Sequence, residues 1–411
     1  GACGGDEALR GRIAALLAAD AEESLLRPLP APAICGSADD GATDRAFVPY
    51  SGSYAIQGEI ARGGMGTVYR GVQSTLDRSV AVKVLHRDSG SADSKRRFQH
   101  EAEVLARLSH PNIVPIHDLV RENGEPVCYS MKLVEGRTLQ AILNSLGAGE
   151  SEALRDFPLD RLLLVLRKVC DAVAFAHSRG VLHRDLKPEN IMVGEFGEVL
   201  VMDWGLAKIL GRGEEKAGEV DPGPAGEEES FERTLEGSVM GTPRYMSPEQ
   251  AMGRIDELDE RSDLFSLGGT LYAILTLRPP VEGSSLQEVL DKVCSGDIAP
   301  PGSCTTAPRF QGKAAEQGAV LEARRFVPLP HLPGGKVPAA LSAVTMKALA
   351  LEKDRRYSGV AAFAADIEAY QNGYATSAEE AGAWTQLKLL MLRHKAVTAS
   401  LAAILLLSAG F

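Results

Sequence analysis

An α+β fold is predicted, rich in strands at first and helical later. Three observations carry it. A Gly-rich turn, Arg62-Gly63-Gly64-Met65-Gly66, leads into β-prone residues and then into Val80-Ala81-Val82-Lys83-Val84-Leu85, an apolar run of strand length. One helical pattern interrupts this region, at 95–108, with Phe98, Ala102, Leu105 and Leu108 on one face. Afterwards apolar helical patterns dominate, at 159–179, 264–277 and 337–371.

With 411 residues the chain has room for two or three domains, or for one large two-part domain with tails. Its 45% hydrophobic and 24% charged content is ordinary for a globular protein. A net charge of −11 argues against a general nucleic-acid binder, because nothing would neutralise the phosphate backbone. Cys3, Cys35, Cys128, Cys170, Cys294 and Cys304 show neither CxxC nor zinc-ligand spacing and read as buried thiols or loop residues of a reducing compartment. No signal peptide is visible at the start.

Taken in order, residues 1–50 divide in two. Leu9, Ile13, Leu16 and Leu17 recur at helical spacing, which predicts a short amphipathic helix within 6–26. Pro28, Pro30, Pro32 and Pro49 mark 27–50 as a linker. From Tyr54 the texture changes. Glycines in the 62–66 turn let a backbone approach a polyphosphate so that amides donate to it, although an ordinary hairpin reads much the same. Lys83 is the one charge in its strand, and it needs either an anionic partner or a route to water. The next helix offers Glu101 or Glu103, of which Glu101 falls on or beside the apolar face.

The chemistry gathers between 181 and 208. His183-Arg184-Asp185-Leu186-Lys187-Pro188-Glu189-Asn190 sets a carboxylate, a cation and an amide within six positions. Asp203-Trp204-Gly205 adds a second carboxylate eighteen residues after the first. Phosphoryl transfer needs such a set: a carboxylate to orient a hydroxyl, a Lys to hold the moving phosphate, and Asn and Asp oxygens for Mg²⁺. The stretch resembles the catalytic loop and metal-binding motif of protein kinases. Arg62-Gly63-Gly64-Met65-Gly66 and Gly241-Thr242-Pro243-Arg244-Tyr245-Met246-Ser247-Pro248-Glu249-Gln250 narrow the likeness to bacterial eukaryotic-like (Hanks-type) serine/threonine kinases of the membrane-anchored kind. It covers about residues 54–372.

The resemblance implies a two-lobed kinase fold over 51–375. A small β-rich N-lobe with one main helix would occupy about 51–135, and a larger helical C-lobe about 136–375. It implies ATP held by Ile60, Ala61, Gly63, Gly64, Gly66, Val68, Ala81, Lys83, Met131, Lys132, Val134 and Met192. Lys83 would meet the α/β-phosphates and pair with Glu101, and Met131 would be the gatekeeper. The backbone of Lys132, Leu133 and Val134 would bond the adenine edge, with Met192 under the ring opposite Val68 and Ala81. Asp185 would take the proton of the attacking hydroxyl, Lys187 would stabilise the phosphoryl group, and Thr242 would stand beside both. Asn190 and Asp203 would bind Mg²⁺, with Mn²⁺ as an alternative. Asp263 would hold the catalytic-loop backbone, and Arg356 would pair with Glu249.

The implied activity is transfer of the ATP γ-phosphoryl group to Ser or Thr of protein substrates. Autophosphorylation at Thr234 or Ser238, by self-association, would engage Arg184 as a docking cation; the plainer reading of those hydroxyls is solvated loop. Three departures from the family pattern stand out: Ala61 for a Gly, Lys132 for an acidic residue, and Trp204 for the usual Phe. None removes a catalytic group. The alternative is a pseudokinase scaffold that binds ATP without catalysis, and the presence of Lys83, Asp185 and Asp203 disfavours it. A small-molecule kinase is disfavoured by Glu249 and the loop around Thr242.

Between Lys208 and Glu236 the chain is rich in Gly, Pro and Glu and is predicted to be a disordered insert. The Pro/Gly-rich stretch 294–336, basic at Arg324 and Arg325, has no assigned function. Residues 396–411 carry no charge over sixteen positions, short of the roughly twenty that a span needs, and predict a membrane helix cut off by the chain's end. Lys388, Arg393 and Lys395 before it favour the cytoplasmic side. The expectation is a single-pass cell-membrane protein in transmembrane signalling, with a cytoplasmic kinase domain and a juxtamembrane segment at 376–395.

Overall fold

The computed structural model describes residues 54–63, 66–86, 92–209, 243–304 and 329–379. The expected N-terminal helix and linker, Gly64, Thr234, Ser238, Thr242, most of the 209–235 and 294–336 stretches, and the 396–411 segment lie outside them. Among the described residues no helix is long and apolar enough to cross a membrane.

Alternation builds the first half. Strands β1 (Tyr54–Arg62), β2 (Gly66–Gln73), β3 (Arg78–Leu85), β4 (Ile116–Glu122) and β5 (Glu125–Lys132) form an antiparallel sheet in the order β1-β2-β3-β5-β4. Cross-strand partners share a face, and successive residues take opposite faces. Val80, Val82 and Val84 therefore face one way and make a small core with Tyr54, Tyr69 and Cys128. Val68, Ala81, Lys83, Tyr129 and Met131 line the other face, since Val68 pairs with Lys83, Lys83 with Tyr129, and Ala81 with Met131. Helix α1 (Ala92–Arg107) packs against that second face through Phe98, whose ring lies 5.1 Å from that of Tyr129. Gly66 is required by the sheet itself, because a Cβ there would come within 2.4 Å of the Val84 carbonyl oxygen.

Helices make up most of the rest: α2 (Leu139–Ala148), α3 (Ser151–Asp156), α4 (Leu159–Ser178), α5 (Pro248–Ala251), α6 (Glu260–Thr276), α7 (Leu286–Ser295), α8 (Ala339–Ala348) and α9 (Val360–Gln371). Helix α6 is apolar on nearly every side and is buried from Ser262 to Thr276, which makes it the central helix. Gly268 lets α8 approach it, since a Cβ there would sit 2.7 Å from that of Ala348. The 337–371 pattern is not one helix but two. Between them Arg356 turns inward and donates to the carbonyls of Ala350 and Leu351. Short strands complete the frame: β6 (Gly136–Thr138), β8 (Ile191–Gly194) and β9 (Val199–Val201) in one sheet, β7 (Val181–Leu182) with β10 (Lys208–Ile209) in another. The catalytic-loop motif runs between β7 and β8, held at both ends.

Candidate active site

Lys83 does not snorkel to water. Its Nζ lies 2.8 Å from each carboxylate oxygen of Glu101, which is only 2% exposed. Burial works against the ammonium's charge, but Glu101 and then Asp203 outweigh it and hold the Lys83 pKa above its ordinary value. Glu103, the competing candidate, accepts instead from Gln99 one helical turn earlier. Strand β3 and helix α1 are thus joined by a charge pair that keeps one cation pointed along the sheet face carrying Val68, Ala81 and Met131.

The loop after β7 converges on Asp185. Lys187 Nζ lies 2.9 and 2.7 Å from its two carboxylate oxygens, and Asn190 Nδ2 donates to both its carbonyl and its Oδ2. The backbone underneath is anchored by Asp263, a buried carboxylate on α6. It accepts from the amides of His183 and Arg184 and from His177 Nε2, each at 2.8 Å. Desolvation alone would raise its pKa, but the His177 hydrogen bond, the neighbouring imidazoles and the Arg184 amide hold it low. Arg184 sits at φ +69°, a left-handed conformation costing about 1–2 kcal/mol for a residue with a Cβ. Gln250 Nε2 braces it by donating to the Arg184 carbonyl at 2.7 Å. Asp263→Asn, which would turn an amide donor toward these donors, is expected to cost about 2 kcal/mol. Faster hydrogen exchange at the amides of His183 and Arg184 would report it; unchanged exchange would count against the anchor.

Asp203 is also left-handed, at φ +60°, and its carboxylate is exposed. The Met202 amide donates to the Asn190 carbonyl at 2.9 Å, which sets the two candidate metal residues side by side. Because Asn190 Nδ2 is engaged twice, its Oδ1 is left as a hard acceptor, and among the described residues no donor meets the Asp203 carboxylate. Trp204 fits the interior: it is fully buried, its ring centroid lies 4.4 Å from that of His183, and its indole N–H points to the Val201 carbonyl at 3.5 Å. His183 itself donates from Nε2 to the Met202 carbonyl and accepts at Nδ1 from the Asp185 amide, which places its proton on Nε2.

The remaining predicted residues divide by position. Ile60 and Ala61 lie on β1, with Ala61 opposite Val68 and its φ outside the positive region, so Ala costs nothing there. Gly63 follows β1, and its amide closes the turn on the Gly66 carbonyl at 2.9 Å. Met192 stands on the separate β6-β8-β9 sheet. The Lys132 amide is bonded to the Pro115 carbonyl at 3.1 Å, so it is not free to meet a nucleotide. The Lys132 side chain turns away to Glu198 at 2.7 Å. Among the described residues no cluster of three His, Cys, Asp or Glu side chains marks a separate metal centre.

A strand-borne Lys paired to a helix Glu, above a braced His-Arg-Asp loop, is the arrangement of one family, and a family profile described as "Protein kinase domain" matches residues 54–310. The chain belongs to the protein kinase family. Its β-sheet N-lobe and helical C-lobe are those of a kinase domain. It is similar to the serine/threonine-protein kinase PknD of Protochlamydia amoebophila, 33% identical over 358 residues, covering 84% of this chain and 33% of that one. PknD of Chlamydia pneumoniae is 35% identical over 328 residues (78% of this chain, 31% of that one), and PknD of Chlamydia caviae 34% over 324 (78% and 31%). The chain therefore spans about a third of the length of these curated relatives.

Several kinase-site contacts were not legible in the sequence. His100, beside Glu101, reaches the Ala207 carbonyl through Nε2 at 2.9 Å and ties α1 to the residues after Trp204. Gln250 belongs to a capping box with Ser247, and that Ser-x-x-Gln spacing was the available signal. Tyr129 left no signal beyond being an aromatic in a strand.

Proposed function

We propose that the chain is an active serine/threonine protein kinase that transfers the γ-phosphoryl group of ATP to protein hydroxyls. The observation that carries this reading is the closed Lys83–Glu101 pair together with a loop in which Lys187 and Asn190 both reach Asp185. Lys83, kept cationic, meets the α/β-phosphates, while the glycine turn, Val68, Ala81, Met131, the hinge and Met192 enclose the rest of the nucleotide. Asp185 accepts the proton of the substrate hydroxyl as its oxygen bonds to the γ-phosphorus and the bond to the β–γ bridging oxygen breaks. Lys187 stands where the transferred group gathers charge. The hard oxygens of Asn190 and Asp203 suit Mg²⁺, or Mn²⁺, which when bound offsets the phosphates' charge.

The Ser/Thr assignment is supported by Lys187 in Lys-Pro-Glu-Asn and by the names of the relatives. Arg184 is half-buried, and its Nε has no partner among the described residues. Burial lowers its pKa, with Asp263 opposing. A cation in that state suits a phosphate on Thr234 or Ser238, placed there by self-association. The 396–411 segment is proposed as the start of a single membrane span with the kinase domain, over 51–375, on the cytoplasmic side. A pseudokinase scaffold is the lesser reading, since each group whose loss would mark one is present.

Incubating the full chain with radiolabelled ATP and Mg²⁺, beside Asp185→Asn, tests the activity. Label is expected on the chain or on a basic protein substrate, and absent with the variant; no transfer by the unmutated chain overturns the reading. Phosphopeptide mapping of the same reaction should find Thr234 or Ser238, and label confined elsewhere would remove the role given to Arg184. Fractionation of cells that express the chain addresses the membrane segment, a wholly soluble protein being the contrary result.

A further inference from the structure

We infer that Tyr129 is a positioning residue for the nucleotide, its hydroxyl acting through Glu101 to free Lys83 for the phosphates. This rests on the reading above that Lys83 meets ATP. Tyr129 stands on β5 directly opposite Lys83, is 1% exposed, and donates to Glu101 Oε1 at 2.8 Å. Its ring holds Phe98 of α1 on one side, and Lys83 Nζ lies 5.9 Å from the ring centroid. One side chain therefore touches all three parties to the charge pair: the strand, the helix and the cation.

The consequence lies in the donor count. An ammonium has three N–H groups, and Lys83 spends its reach on both oxygens of a carboxylate that is nearly sealed from water. The spare N–H can reach one phosphate oxygen, but to meet the α- and β-phosphates together Lys83 must loosen one of those bonds, and a buried carboxylate oxygen left without a donor resists this. Oε1 is the oxygen that keeps a second donor, the Tyr129 hydroxyl, whereas among the described residues Oε2 has Lys83 alone. Lys83 can thus release Oε1, stay on Oε2 and turn toward the cleft. Burial, with Glu101 and Asp203 nearby, holds the phenol well above its usual pKa, so it remains a donor throughout the neutral range. A purely packing tyrosine would need an acceptor somewhere, but not this one.

Tyr129→Phe in the full chain keeps the ring and its contact with Phe98 and deletes only the hydroxyl. Expected is a rise of about tenfold in KM for ATP, with kcat changed less than about threefold, and a matching loss of affinity for a fluorescent ATP analogue. The second measurement is the same substitution in a Glu101→Gln background, read by nucleotide affinity, where it should add less than about twofold. A role confined to packing would lower the thermal midpoint and the active fraction and leave KM alone. Unchanged KM and affinity in Tyr129→Phe overturns the inference, as does an equal loss in the Glu101→Gln background. A wild-type chain that binds ATP and transfers its phosphoryl group while Tyr129→Phe is indistinguishable from it overturns this inference only; a wild-type chain that binds no ATP overturns the functional reading as well.

Discussion

Asp185→Asn is expected to lower kcat about 10³-fold while ATP affinity and thermal stability stay close to those of the unmutated chain. The amide has nearly the shape of the carboxylate, so the loop keeps its form: Asp263 still holds the amides of His183 and Arg184, and Gln250 still braces the Arg184 carbonyl. What is lost is the proton acceptor. Lys187, which bonds both Asp185 oxygens, would also face one amide donor in place of an acceptor and would be displaced from the path of the phosphoryl group. Single-turnover kinetics measured beside equilibrium nucleotide binding separate the two effects. A loss of less than tenfold, or a parallel fall in ATP affinity, would place Asp185 outside the chemical step.

Arg356→Met should destabilise the folded chain by about 3–5 kcal/mol, because it leaves a buried charge without its partner. Every donor of Arg356 is committed: Nε to the Ala350 carbonyl, Nη1 to Glu249 and the Arg261 carbonyl, Nη2 to Glu249 and the Leu351 carbonyl. Its guanidinium also lies 5.0 Å from the ring centroid of Phe265. Glu249, in turn, accepts from Ser262 at 2.6 Å and opens the short helix from which Gln250 reaches the catalytic loop. A lower denaturant midpoint at unchanged slope is the expected measurement, and Glu249→Leu added to Arg356→Met should recover part of the loss.

The same pair predicts a pH dependence. Burial opposes the Glu249 charge, but Arg356 and Ser262 prevail and bring its pKa down from 4.5 to about 2. A depressed carboxylate contributes stability that is full above its unfolded pKa and lost as pH falls through the folded one. The contribution, about 3 kcal/mol, should therefore fade between about pH 5 and pH 2. Denaturant midpoints at pH 6 and pH 3 should fall for the unmutated chain and differ less for the Glu249→Leu, Arg356→Met pair; equal slopes would assign the acid sensitivity to other groups.

Much of the site was legible in the chain because its chemistry is written in contiguous words. His183 to Asn190 and Asp203 to Gly205 name their groups without any tertiary contact, and the period of two in 80–85 already places Lys83 on a face opposite to Val82. Helical spacing put Phe98, Ala102, Leu105 and Leu108 in the core, where they are found. Two departures also resolved as the residues' own chemistry suggests: Ala61 needs no positive φ, and Trp204 fills the interior as a larger apolar ring with its N–H directed at a carbonyl.

By itself, then, the sequence determined which residues are candidates for the chemistry and which faces they share, since both follow from local order and period. Only the tertiary structure decided which partner each one meets. Glu101 and Glu103 are two positions apart on one helix, and the crossing of α1 over β3 and β5 sends the first to Lys83, while the second stays with Gln99 on its own helix. The register that sets Tyr129 opposite Lys83, the inward turn of Arg356 that splits a single helical pattern in two, and the reach of Gln250 to Arg184 all join residues far apart in the chain. Hydrogen bonds act over about 3 Å, so such partners are set by the packing of whole elements, a quantity that no local pattern contains.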